Sequence, residues 1–129
     1  MMRLAGRIRG VGNDRSGATA VEFAMVLPAF MLLIVGGFST ASLLYVASSM
    51  KYAVEVGARC AAVNTTVCSD STSTVSYVKS HFSASGAATP TFTSTTATCG
   101  HNVAGNVTYV IDTGLGKINV PVSAAACFP

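Results

Sequence analysis

The chain has 129 residues, half of them apolar and a tenth charged, with a formal net charge of +3. That length holds one small domain plus a membrane segment, and a soluble domain of ordinary composition, with about 25% charged residues, is excluded. The positive charge is no nucleic-acid footprint, because it is not spread along the chain. Arg3, Arg7, Arg9 and Arg15 crowd the first seventeen residues against Asp14 alone, whereas beyond Gly17 the four bases Lys51, Arg59, Lys79 and Lys117 balance the four acids Glu22, Glu55, Asp70 and Asp112.

The arginines read as a cytoplasmic anchor that sets orientation, N-terminus in and C-terminus out. From Phe23 to Met50 there are 28 residues without a formal charge. A bilayer core of about 30 Å needs roughly 20 helical residues, so one span fits. Three readings compete. A secretory signal would be cut at Ser39-Thr40-Ala41, but the apolar run continues through Leu43, Leu44 and Val46. A plain single-pass anchor explains the apolar run and the arginines, and leaves Glu22 unexplained. In the third reading the leader is removed at Gly17 and the helix is kept.

The residues that carry the third reading are Gly17-Ala18-Thr19-Ala20-Val21-Glu22-Phe23. They resemble the processing motif of type IV prepilins, with Gly before the cut and Glu five residues after it. The further run Ala20-Val21-Glu22-Phe23-Ala24-Met25-Val26-Leu27-Pro28 is similar to the TadE-like pseudopilins of tight-adherence (Tad/Flp) pili. The similarity covers about residues 14 to 60. It implies a structural subunit, a minor pilin or pseudopilin, with no enzymatic activity and no cofactor. A prepilin peptidase would cut between Gly17 and Ala18. Partners would be other pilin subunits and the inner-membrane pilus assembly machinery. The protein would sit first in the bacterial inner membrane and then in the periplasm or an extracellular pilus. Three segments follow: a leader (1–17), a transmembrane and assembly helix (18–50), and an extracytoplasmic α+β domain (51–129).

The resemblance also assigns Glu22 a role. A carboxylate near the centre of a membrane helix costs about 2.5–3.5 kcal/mol, and less towards the edge. Cleavage would create an ammonium group at Ala18, and pairing Glu22 with that amine, its own or a neighbour's, offsets the cost and fixes axial register. The plain alternative is a side chain reaching back to headgroups and water. Pro28 lacks an N–H and crowds the carbonyl of Ala24, which predicts a kink over 24–28. Gly36, Gly37, Ser39, Thr40, Ala41 and Ser42 form a small-residue patch that permits close helix contact.

Beyond the membrane segment, Tyr52, Val56, Arg59–Cys60 and Val63 recur near helical spacing, and Glu55 precedes Arg59 by one turn. One helix is therefore predicted over 18–63, roughly 69 Å long. Asn64-Thr65-Thr66 ends it. A second helix is predicted over 74–85, with Val75, Val78 and Phe82 on one face, Ser71 to Ser73 as capping candidates and Gly86 as the stop. Strands are predicted over 91–99, 107–111 and 118–122, the last two joined by a hairpin through Thr113–Gly116, with Pro121 marking an edge strand. The expected fold is α+β and pilin-like, with a short second helix and a small antiparallel sheet on the outer half of a long helix.

Cys60, Cys68, Cys99 and Cys127 all follow the apolar segment, an even count that suggests two disulfides in an oxidising compartment. Three pairings exist, and chain order favours Cys60–Cys68 with Cys99–Cys127. The cysteines lack the paired short spacings of a zinc site, His81 and His101 read as surface residues, and Gly114-Leu-Gly116 lacks the lysine of a phosphate loop. The Ser/Thr-rich stretch 69–98 reads as solvated surface, with O-linked sugar as the other option. The rival to a pilus subunit is a single-pass anchor that displays a small binding module and never polymerises.

Overall fold

The computed structural model describes residues 16–84, 87, 89–113 and 116–129. Most of the leader, Ser85, Gly86 and the centre of the hairpin turn, Gly114–Leu115, lie outside the described residues. The elements are two helices, α1 (Ser16–Val63) and α2 (Ser71–His81), and three strands, β1 (Thr91–Ala97), β2 (Gly100–Asp112) and β3 (Lys117–Phe128). Packing divides the chain into two units, Met1–Phe38 and Ser39–Pro129.

In the first unit α1 begins at Ser16, two residues before the predicted start, within the usual uncertainty of helix ends. The helix continues through Pro28 and Gly36–Gly37 without interruption. Its apolar side chains are exposed on every side.

The second unit has its own core. From α1 it takes Val46, Met50, Ala53, Val54 and Ala58, and from α2 Val78; Phe92, Val103, Val107 and Val122 come from the sheet. Steps of three and four along α1 are what one helix face requires. The predicted stripe is corrected in part: Cys60 is buried and Val56 half-buried, but Tyr52 and Val63 are 56% and 69% exposed. The buried stripe is the one rich in alanine and glycine, because small residues let neighbouring backbones come close. An added Cβ at Gly57 would collide with Val78 Cγ2. Facing it from the sheet, a Cβ at Gly105 would stand 2.6 Å from the Phe92 ring and 2.7 Å from Met50 Sδ.

After Val63 the chain reverses on Asn64, whose carbonyl accepts from Cys68 N–H at 2.9 Å and whose Oδ1 accepts from Val67 N–H at 3.3 Å. The Cys60–Cys68 bridge, with its Cα atoms 5.8 Å apart, closes this turn. Helix α2 starts three residues earlier than predicted, because Asp70 caps it in place of Ser71–Ser73, and ends four residues earlier, at His81, where the backbone of Phe82 turns extended. Asp70 Oδ1 accepts from Ser73 N–H at 2.7 Å, and Ser73 Oγ accepts from Asp70 N–H at 3.0 Å, a reciprocal capping box. Thr74, 1% exposed, keeps its hydroxyl satisfied by donating to Asp70 C=O at 2.8 Å. At the other end Phe82 meets Phe92 edge to face, ring centres 5.8 Å apart.

The sheet is an antiparallel meander in the order β1-β2-β3. Register aligns Phe92, Gly105 and Ala124 across it on the core side, and Val107 opposite Val122. Two strands are longer than predicted: β2 starts seven residues earlier and β3 ends six later. The Ala- and Ser-rich segment 123–127 has weak intrinsic strand preference, and pairing with β2 overrides it. Pro121 lies opposite Thr108 in β3, an edge strand, where a missing N–H is tolerated. Gly100 holds φ +115° at the tight turn between β1 and β2, and an added Cβ there would lie 2.6 Å from Pro129 Cα. The Cys99–Cys127 bridge, with Cα atoms 6.2 Å apart, joins that turn to the end of β3.

Candidate functional site

The residues singled out in the sequence fall on one element. Gly17 and Ala18 lie in the first turn of α1, and Glu22, Phe23 and Pro28 follow within the next three turns. Glu22 is exposed, and Phe23 is 67% exposed. Ala18 and Glu22 are four residues apart, so their positions share a face. The positive end of the helix dipole favours a carboxylate in this place.

The rest of the surface is greasy. Thr19–Val63 contains a window of mean hydropathy 2.1, none of it buried within the chain. Met25 and Leu32, seven residues apart on one side of the helix, are 76% and 75% exposed, and Leu33 and Phe38, on other sides, are 75% and 76% exposed. A uniform apolar run carries no periodicity to single out such members, so only their aggregate was readable. A helix apolar all round is stable only within lipid or within a larger protein assembly.

Lack of room does not explain three glycines in the exposed stretch of this helix. An added Cβ at Gly17, Gly36 or Gly37 would meet nothing within 4 Å. Each interior helical glycine costs about 1 kcal/mol relative to alanine. Pro28 removes the donor that would bond the Ala24 carbonyl.

The four cysteines form two bridges of the second unit, with Cys60 near the end of α1. That unit carries a polar hollow of about 300 Å3 that includes Asp70, Thr74 and His101. A second hollow, of about 360 Å3, lies between α1 and the end of β3. Among the described residues no group of three or more His, Cys, Asp or Glu could hold a metal ion.

Residues 17–59, one third of the chain, match the family model described as TadE-like protein. No curated protein and no solved structure matches the chain. The family match covers the exposed apolar helix and its carboxylate, and it connects this segment with the Tad pilus system.

Proposed function

We propose that this chain, TadE-like over its first helix, is a structural subunit of a Tad/Flp-type adhesive pilus, a minor pilin or pseudopilin. The observation that carries the proposal is that between Gly17 and Phe38 this helix exposes its described apolar side chains and leaves open space around Gly17, Gly36 and Gly37. Residues 1–17 are the leader, held on the cytoplasmic side of the bacterial inner membrane by their arginines. A prepilin peptidase cuts between Gly17 and Ala18, at a helix end whose first N–H groups have no helical partners and which frays readily. Residues 18–50 stay in the membrane, and 51–129 stand outside it, in an oxidising compartment that suits two disulfides.

Assembly then replaces lipid contacts with helix contacts. Small residues at 36–42 set the distance between helices. Neighbouring subunits supply donors to the backbone freed by Pro28. Glu22 pairs with the new Ala18 ammonium and thereby fixes the axial position of one helix on the next. The partners are other pilin subunits, the peptidase and the inner-membrane assembly machinery.

The test is Glu22→Ala in cells that build the pilus. The variant is expected to insert and lose its leader at the normal rate, yet to be depleted about tenfold or more from sheared filaments, the loss of an ion pair worth at least 1.4 kcal/mol in the assembled state. Incorporation at the wild-type level would reject the register role.

A further inference from the structure

The two disulfides have different surroundings. Cys60 and Cys68 are 8% and 4% exposed and pack with Ala61 and Tyr77. Cys99 and Cys127 are both exposed. Cys99 lies in the two-residue turn between β1 and β2, and Cys127 is the penultimate residue of β3. Exchange requires a thiolate to reach a disulfide sulfur, so access decides which of two bridges an external reductant attacks.

The strand end tied by Cys99–Cys127 has little else to hold it. Past Val122, β3 turns only Ala124 and Ala126 towards the core, both half-buried, whereas Ser123, Ala125, Cys127 and Phe128 are exposed. An alanine methyl gains little from burial, and β3 pairs with β2 alone. The same strand end walls the hollow of about 360 Å3 whose opposite side is Tyr52, Val56 and Arg59.

We propose that Cys99–Cys127 is a site of thiol–disulfide exchange with an external dithiol and a reversible clasp on the end of β3, while Cys60–Cys68 is a permanent staple. One thiolate of the dithiol attacks Sγ of Cys99 or Cys127. The S–S bond breaks, a mixed disulfide forms, and the other cysteine leaves as a thiolate. The second thiol of the dithiol then displaces the protein sulfur. The protein gains two electrons and two protons, and the reductant departs as its own disulfide. The released segment 123–129 peels from β2 and opens the hollow beside Tyr52 and Arg59, and the reverse exchange with an external disulfide, which takes up the two electrons and two protons and leaves as a dithiol, closes it.

The test uses the full chain in detergent micelles, equilibrated with reduced and oxidised dithiothreitol in stepped ratios, then alkylated and mapped by mass spectrometry. The expected result is a population alkylated at Cys99 and Cys127 with Cys60–Cys68 still closed. In that population amide exchange at 124–128 is faster by about tenfold or more and unchanged at Val54 and Val78. Simultaneous reduction of both bridges, or reduction of Cys60–Cys68 first, would overturn the proposal. The double variant C99S/C127S is expected to fold with Cys60–Cys68 closed and to show the same fast exchange at 124–128. A variant that does not fold would make this bridge a staple like the other and overturn the proposal as well.

Discussion

Gly57 owes its identity to a contact, not to a turn. It lies mid-helix, where glycine costs about 1 kcal/mol relative to alanine, and the room it leaves is taken by Val78 of α2. Gly57→Ala is therefore expected to lower stability by about 1–3 kcal/mol through overpacking, despite its better helix propensity. Val78→Ala made in the same chain should recover part of that loss, which denaturant titration of the four members of the cycle measures directly. Full additivity would mean that the two residues do not touch. Asp70 offers a second single-residue test. Hydrogen bonds from the Ser73 backbone N–H, and then from the Ser73 side chain, hold its carboxyl below the ordinary 3.8. A folded value below the unfolded one means that its stabilisation is complete above the unfolded value and is lost as pH falls through the folded one. Asp70→Asn keeps an acceptor for the cap and removes the titration. Thermal melts should match wild type at neutral pH and fall less steeply in acid; equal acid slopes would assign the acid sensitivity elsewhere.

At the scale of elements, the sequence foretold which segments form and missed which face of α1 is buried. The long helix, the short helix and the three antiparallel strands were all legible from periodicity, β-branched runs and turn residues. The buried stripe of α1 was not, because Ala53, Gly57, Ala58 and Ala61 carry almost no hydrophobic signal, while Tyr52 and Val63 carry a strong one and stay exposed. Val46, Met50 and Val54 do face inward, and the small residues beside them, not Tyr52 or Val63, complete the buried face. The start of α2 shifted for a similarly local reason, since the Asp70–Ser73 capping box satisfies two backbone N–H groups at once. Strand β3 outran its prediction because partners can impose extended structure on alanines. Met50, fully buried against Gly105, tests the corrected stripe. Met50→Ala should cost about 2–5 kcal/mol in denaturant titration of the chain in micelles. Leu44→Ala, at a position 62% exposed, should change the same measurement by no more than about 0.5 kcal/mol. Equal losses would return the buried face to the larger residues.

For the molecule as a whole, two kinds of boundary lie along α1 and they differ. Charge stops at Glu22 and resumes at Lys51, which marks the stretch suited to lipid. Packing marks its own division at Phe38 and Ser39, since Leu43, Val46 and Met50 already belong to the core of the second unit. The candidate assembly residues were legible because each violates a local rule: a carboxylate at the head of an apolar run, a proline inside a helix, glycines where alanine would do. The structure adds that a Cβ at Gly17, Gly36 or Gly37 would meet nothing within 4 Å. The account as a whole rests on the helix being kept while the arginine-bearing leader is lost. Sequencing the N-terminus of the protein recovered from piliated cells tests this most directly. The account predicts a mature chain that begins at Ala18; a chain that still begins at Met1 or Met2, or one that begins near Ser42, would contradict it.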